Sequence, residues 1–546
     1  MKKPTITGLL LIWGILSFAQ GIYNNGARIV STSGSYWVVD NDDFTLTSTS
    51  STNLTQMANL VIKDDASLTV VSGSYLSVTG TLVNSSGTNG LVLESNTSLL
   101  HQTSGINATG KQVVPENNHW HFLSIPFNAS PMPDICDGNY APVVGNFNQT
   151  TGETYDFYYL DESQPSLNWI NLKNDDWSVN TTSFGNPPKF VCGKGYLVAY
   201  SSSFAGSETK EIASTLTSGE VTVALTASNL TYNLIGNPYP SSIDWKASSG
   251  WTRNIIEAYE GYNMWIWNDA VGNFGAYNSA SGSDEGTNGV SRYIAPGQAF
   301  YVKAASAGNL IMDNDVRVHS TQNWLKNTSS GNAFSLVVHD LQNNYSDEIL
   351  IEFGHTTAEG GTKKMTSMYE EAPFLASMKD NMEWAIDFRH DPAETTTIPV
   401  SFKSGTSGEF FITSTIGEIA TGILEDLRTL EKTTLTNTSS YSFSGKPDDD
   451  PNRFLLHFKA VGIDDPMASG QELQIVVWNH DQVLYISNPE QLSGTVMVYD
   501  MTGKCALSEN LENVTKQTIN HTLKPGLYVV RVEAENKTKN QKIMVQ

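Results

Sequence analysis

The sequence is poor in charge, in cysteine and in helical pattern, and each shortage excludes something. Only 16% of its 546 residues are Asp, Glu, Lys or Arg. Clustered Lys and Arg are missing, which argues against nucleic acid as a partner, because neutralising phosphates takes concentrated positive charge. The 32 basic residues stand against 56 acidic ones, for a net charge of −24, a balance that favours solubility outside the cell and attraction of divalent cations. Beyond the first 20 residues no stretch is apolar enough to span a bilayer, so no transmembrane span is expected in the mature chain. Long helical periods are scarce; the best, Met365–Lys379, is interrupted by Pro373. There is no Gly-x-Ser-x-Gly elbow, no His-Glu-x-x-His, no phosphate loop and no dinucleotide fingerprint. An enzyme built from scattered residues stays open, but none of the familiar local signatures is present.

What the chain does have is Ser, Thr, Asn and Gly in abundance around short β-branched and aromatic runs, the balance of an all-β protein with polar turns. Its length exceeds one core, and about 150 residues per domain suggests three or four units. Residues 1–20 read as a signal peptide: Lys2 and Lys3, an apolar run from Ile6 to Phe18, then Ser17-Phe18-Ala19 at the cleavage position. A retained membrane anchor is the alternative. Within a region taken as 21–110, residues 55–105 carry a rough repeat, with Leu60, Leu68, Leu76, Leu82, Leu91 and Leu99 each in a short strand punctuated by glycines. That spacing suggests a short β-solenoid, with an antiparallel meander as the alternative.

Residues 111–325 form a larger β-rich domain around Gly236-Asn237-Pro238-Tyr239-Pro240. The strand at 119–127 and its later Gly-Tyr strand at 195–200 parallel those at 231–239 and 297–303, which points to two repeated halves. Residues 326–460 alternate as a β-sandwich should. Residues 461–546 hold a linker and a final run of strands, with turns at Asp500-Met501-Thr502-Gly503-Lys504 and Pro525-Gly526.

In that final segment Val498-Tyr499-Asp500-Met501-Thr502-Gly503-Lys504, then Lys524-Pro525-Gly526-Leu527-Tyr528-Val529-Val530-Arg531-Val532, then Gln541-Lys542-Ile543-Met544-Val545 resemble the C-terminal sorting domain of type IX secretion cargo proteins. The resemblance implies an Ig-like β-sandwich, recognition by the type IX secretion machinery, and export to the cell surface or medium. It assigns the sorting motif to Asp500, Gly503, Lys504, Gly526, Tyr528 and Lys542. One departure is that a Pro-Asn-Pro opening is replaced by Asn488-Pro489-Glu490, placed later. The stretch 231–245 with its Gly-led strands is similar to a module recurrent in cargo of this route.

Candidate chemistry is sparse. Three cysteines are present, Cys136, Cys192 and Cys505. If the sorting segment is removed, Cys136 and Cys192 remain, and an oxidising compartment permits a disulfide between them, worth roughly 4 kcal/mol in the chain-entropy model; two separate buried thiols are the alternative. His119 and His121 have the i, i+2 spacing of a strand-face metal site, without a third ligand nearby. Asp40-Asn41-Asp42-Asp43, Asp313-Asn314-Asp315 and Asp448-Asp449-Asp450 offer oxygens to calcium, or serve as solvated turns. Trp265 and Trp267, among the aromatics of 259–277, are a candidate glycan platform or one face of a sheet core. Asp387, His390, Asp391 and Glu394 are close in sequence and need spatial separation before any acid–base role has meaning. Two functions follow: a non-enzymatic surface protein for adhesion or matrix contact, or a protein that binds or acts on carbohydrate.

Overall fold

Short alternating runs bounded by Gly, Asn and Asp leave the backbone few ways to satisfy its hydrogen bonds except cross-strand pairing. The computed structural model describes residues 34–47, 55–128, 132–133, 140, 155–164, 168–172, 189–203, 207–320, 333–356, 360–391, 396–417, 420–460, 475–480, 482–488, 491–501, 503–534 and 537–545. The chain divides into two compact units, 1–461 and 462–546. The signal-peptide region lies outside the described residues.

From Tyr36 to Val113 the chain passes in turn through three parallel sheets. Tyr36–Val39, Asn59–Ile62 and Leu82–Asn84 line one side. Asp43–Leu46, Ser67–Val70, Leu91–Leu93 and Asn107–Val113 line the second. Thr55–Met57, Tyr75–Val78 and Ser98–His101 line the third. Hydrogen-bonded neighbours on successive passes are 21 to 24 residues apart. The leucine spacing noted in the sequence is one side of each pass. Leu60 sits beside Leu82, Leu68 beside Leu91 and Leu76 beside Leu99, and all six are buried at 0–1% exposure. The pairings are parallel, where a meander would be antiparallel. Thr209–Thr215 then pairs antiparallel along Asn107–Val113 and covers that edge.

The next stretch holds two corresponding strand pairs. His121–Leu123 pairs antiparallel with Tyr196–Tyr200, and Tyr232–Gly236 with Ala299–Lys303. Leu123 faces Tyr196 as Ile235 faces Phe300. The two pairs also bind each other crosswise. Leu123 bridges Gln298, and Ile235 bridges Lys194. Ser124 N donates to Gly297 O at 2.8 Å, and Gly236 N donates to Gly193 O at 2.8 Å. Gly193 and Gly297 share a left-handed φ of 73° and 74°, a conformation open to glycine at no steric cost. Asn237, fully buried, explains the Asn-Pro-Tyr signature: its Nδ2 donates to Ser241 O, Ile294 O and Ala295 O, while its Oδ1 accepts from Tyr239 N.

Strands between Ala333 and Ala460 belong to one 11-stranded sheet. The sequence suggested a β-sandwich; the strands form one sheet that curls on itself, so that Phe334, on the third strand from one end of the strand order, meets Phe458, on the third from the other, at 4.9 Å, and Phe402 meets Phe410 at 5.2 Å. The stretch 374–379, inside the best helical candidate, is a buried strand pairing on both sides. Pro373 precludes helix continuation there, and Leu375 N donates to the buried carboxylate of Asp347 at 2.7 Å. One hydrophobic cluster joins Phe122, Trp265 and Phe274 to Ala333, Leu350 and Phe388, so the core runs across residue 325 without a break.

The second unit has two antiparallel sheets over a shared core. One contains Val476–His480, Val483–Ser487 and Lys516–Asn520; the other contains Cys505–Leu511, Gly494–Asp500, Gly526–Ala534 and Lys537–Val545.

Candidate functional site

Local geometry in the second unit gives Asp500, Gly503, Lys504 and Tyr528 a physical task and places Gly526 and Lys542 on the sheet. Gly503 N donates to Asp500 O at 2.9 Å, Asp500 N to Lys504 O at 3.0 Å, and Lys504 N to the Asp500 carboxylate at 3.1 Å. Gly503 takes φ 83°, which closes this turn at little cost only without a Cβ. Asp500 faces Tyr528 across the sheet, and Tyr528 OH caps Lys524 O at 2.9 Å. Gly526 stands opposite Val545, and Lys542 opposite Val529 with its side chain exposed. Asn488 is fully buried; it donates to Leu492 O and Glu512 O and accepts from Leu492 N, so its side chain pins a corner.

In the first unit the structure redistributes the sequence candidates. Trp265 and Trp267 are 1% and 3% exposed, which overturns their reading as a glycan platform. Their strand, Gly261–Asn268, is flanked by Asn273–Asn278 and Ala299–Lys303, and both faces are covered. Trp265 Nε1 donates to Lys363 O at 2.9 Å, and Trp267 packs edge-on to Phe274 and Tyr369. His119 Nδ1 lies 2.7 Å from Asp269, while His121 contacts Asn117, which also bonds Asp269, and burial pushes His121 down to about 4. Among the described residues no group of three or more His, Cys, Asp or Glu is placed to hold a metal.

The acidic runs serve turns and ion pairs. Asp40 pairs with Lys63 and Asp449 with Arg428, and Asp313 caps Asp315 N. Asp387 is buried against Lys379, Arg389 and Ser377, whereas His390 Nδ1 bonds His355 O; Glu394 lies outside the described residues. Cys192 is a free thiol that burial pushes up to about 11, too high for a reactive thiolate at neutral pH. Cys136 lies outside the described residues, and the structure has no disulfide at Cys192.

Three sites escaped sequence reading, the first two because they join residues far apart along the chain. Glu162, 3% exposed, accepts from the backbone N–H of Ser228, Asn229 and Thr231. Burial alone would raise its carboxyl, but these donors bring it down to about 2. His355 lies between two carboxylates, Glu352 at 3.2 Å and Glu260 at 3.3 Å, and stacks on Phe388 at 3.7 Å. Burial alone would lower it; the two glutamates raise it overall.

The third is an open groove of about 330 Å³, at the small end of ligand-sized clefts of about 300–1,000 Å³. Arg253 lies in it, its guanidinium 4.7 Å from the Trp245 ring, 5.4 Å from Trp251 and 4.6 Å from Tyr262. Two indole N–H groups fix these rings: Trp245 Nε1 donates to Tyr262 O and Trp251 Nε1 to Asp244 O, each at 2.9 Å. Burial pulls the guanidinium down to about 10, which leaves it cationic at neutral pH.

Residues 27–458 match the family described as Domain of unknown function (DUF8693). The chain belongs to that family. The DUF8693 region thus comprises the parallel sheets, the paired halves and the curled sheet together. Residues 480–546 match the Secretion system C-terminal sorting domain, and this DUF8693 protein is a type IX secretion cargo protein. Its tail engages the type IX machinery and directs it to the cell surface or extracellular space. No helix among the described residues is long and apolar enough to cross a membrane. A search of curated proteins found no match. Among solved structures, the "Central Fibronectin-III array of RIM-binding protein" aligns with 61% of this chain and 99% of its own, at 13% identity and a TM-score of 0.10; so low a score carries no argument.

Proposed function

We propose that the exported protein is a non-enzymatic scaffold for adhesion or matrix contact at the cell surface. The supporting observation is how its buried ionisable groups are used. Asp347, 0% exposed, is bound by Lys364 at 2.5 Å, Asp387 by Lys379 and Arg389, Asp426 by Arg453, and Glu162 by backbone N–H groups. Carboxylates closed off in this way hold elements together and are poorly placed to shuttle protons to a substrate. The three parallel sheets are read as a short β-solenoid, which the recurrent 21-to-24-residue register supports and which would supply a stiff stem.

The test compares cells exporting the full chain with cells exporting none, scored for attachment to polysaccharide- and protein-coated surfaces. Attachment that requires the chain, with the coating polymer intact, is expected. Release of soluble fragments from the coating would overturn the scaffold reading in favour of an enzyme. The second reading, carbohydrate binding, is favoured by the Arg253 groove, where aromatic rings and a cation meet solvent.

A further inference from the structure

Of the seven described arginines, five are matched to carboxylates. Arg292 pairs with Asp244 and Asp284, Arg389 with Asp387, Arg428 with Asp449, Arg453 with Asp426 and Arg531 with Glu533. Arg317 has no carboxylate, yet its guanidinium is satisfied by Ser241 Oγ, His101 O, Asn314 Oδ1 and Leu99 O. Arg253 differs from all of these. Among the described residues its guanidinium makes one hydrogen bond, from Nη1 to Trp245 O at 2.5 Å, and no ion pair. The nearest acid that acts on it, Asp244, is already held by both Nε and Nη2 of Arg292 at 2.8 and 2.5 Å. With 56 acidic residues in the chain, a half-buried cation left without one is the exception that asks for an external partner.

The setting is rigid before any ligand arrives. Gly250 has φ 84°, and a Cβ there would come within 2.6–2.9 Å of Asp313, Val316 and Asp315, so this bend is closely packed. Asp244 accepts from Lys246 N at 2.8 Å and fixes the loop start. Preorganisation of this kind lowers the ordering cost of binding. Tyr262 OH makes no hydrogen bond among the described residues, and Ser248 and Ser249 are exposed at the rim.

We propose that this groove binds a carboxylate-bearing sugar ring, a uronate unit of an acidic polysaccharide. The free edge of the guanidinium fork matches a carboxylate in two-point geometry. Trp251 and Tyr262 offer half-buried aromatic surface for the C–H face of a pyranose, and Ser249, Asn254 and Tyr262 offer hydrogen-bonding groups for its hydroxyls. One cation suits the single charge of a carboxylate. The inference rests on the carbohydrate-binding reading and not on the scaffold reading.

The test is calorimetric titration of the full chain with an oligogalacturonate, its methyl ester, and a poly-glutamate peptide of equal charge. The acidic oligosaccharide is expected to bind, with esterification weakening it by about tenfold or more, the scale of a lost charge-assisted contact. Arg253→Lys keeps the charge but not the fork and should weaken binding by a similar factor. Ser249→Trp fills the groove from an exposed position and should abolish binding with the melting temperature unchanged, which covers the case of an Arg253 variant that fails to fold. No binding to the oligogalacturonate, equal binding of the ester, equal or tighter binding of poly-glutamate, or full binding by Ser249→Trp would each overturn the proposal. Cell attachment to other coatings would persist in any of these cases, so the scaffold reading is judged separately.

Discussion

Glu162 and His355 are single residues whose protonation is tied to folding in opposite senses. Glu162 is held down near 2 by the backbone donors of 228–231. Its contribution is complete above the unfolded carboxyl range near 4.5 and fades as pH falls through its folded value. At neutral pH it is on the order of 2 kcal/mol. Glu162→Gln should therefore unfold at lower urea than wild type at pH 7, with the gap closing toward pH 2. For His355 the sign reverses, because Glu352 and Glu260 raise it above 6.5. Its stabilisation is full below the unfolded value and is lost as pH rises through the folded one. His355→Gln should cost most in acid, leaving above neutrality only a smaller, pH-independent loss from packing on Phe388; an equal loss at every pH from 5 to 9 in urea melts would show that the ring matters only by that packing. Asn237 carries a third case. Asn237→Ala would strand the carbonyls of Ser241, Ile294 and Ala295, which now accept from its amide. A loss of about 2–4 kcal/mol is expected from unmade buried hydrogen bonds, read as a drop in thermal midpoint.

At the scale of elements, what could be read from sequence was the strand that alternates. Phe410–Ile412 alternates buried with half-buried residues and Tyr441–Phe443 buried with exposed ones, and both were legible. Cys505–Leu511 was not, because its residues are exposed along nearly the whole length and no apolar period marks it. Trp265 and Trp267 were correctly placed on one strand face. That this face is covered depends on Tyr369, about a hundred residues later, while Met264 and Ile266 bury the opposite face in a separate cluster. The Arg253 groove left no signal, since 247–254 reads as a small polar loop and the missing carboxylate is a property of space. The parallel passes give an element-level prediction. Leu68 is stacked on Leu91 at 0% exposure, and Leu68→Ala should cost about 2–5 kcal/mol, the range for a buried leucine with a partly relaxed cavity.

For the whole molecule, the division at 461/462 separates cargo from tag. Removing 462–546 should leave a first unit that melts cooperatively at an unchanged temperature, yet stays in the periplasmic fraction of a cell with a working exporter. Appearance of the truncated chain on the surface would remove the tail from its role. Within the first unit, the crosswise contacts of Leu123 with Gln298 and Ile235 with Lys194 have a consequence for how this protein can change over time. Each half completes its sibling, so neither can drift alone. A side chain accepted at Gly193 demands an answer at Val223 and Val221, one at Gly297 an answer at Gln112, and two separately expressed fragments divided near 203–207 should find each other and reassemble like the parts of a clasp.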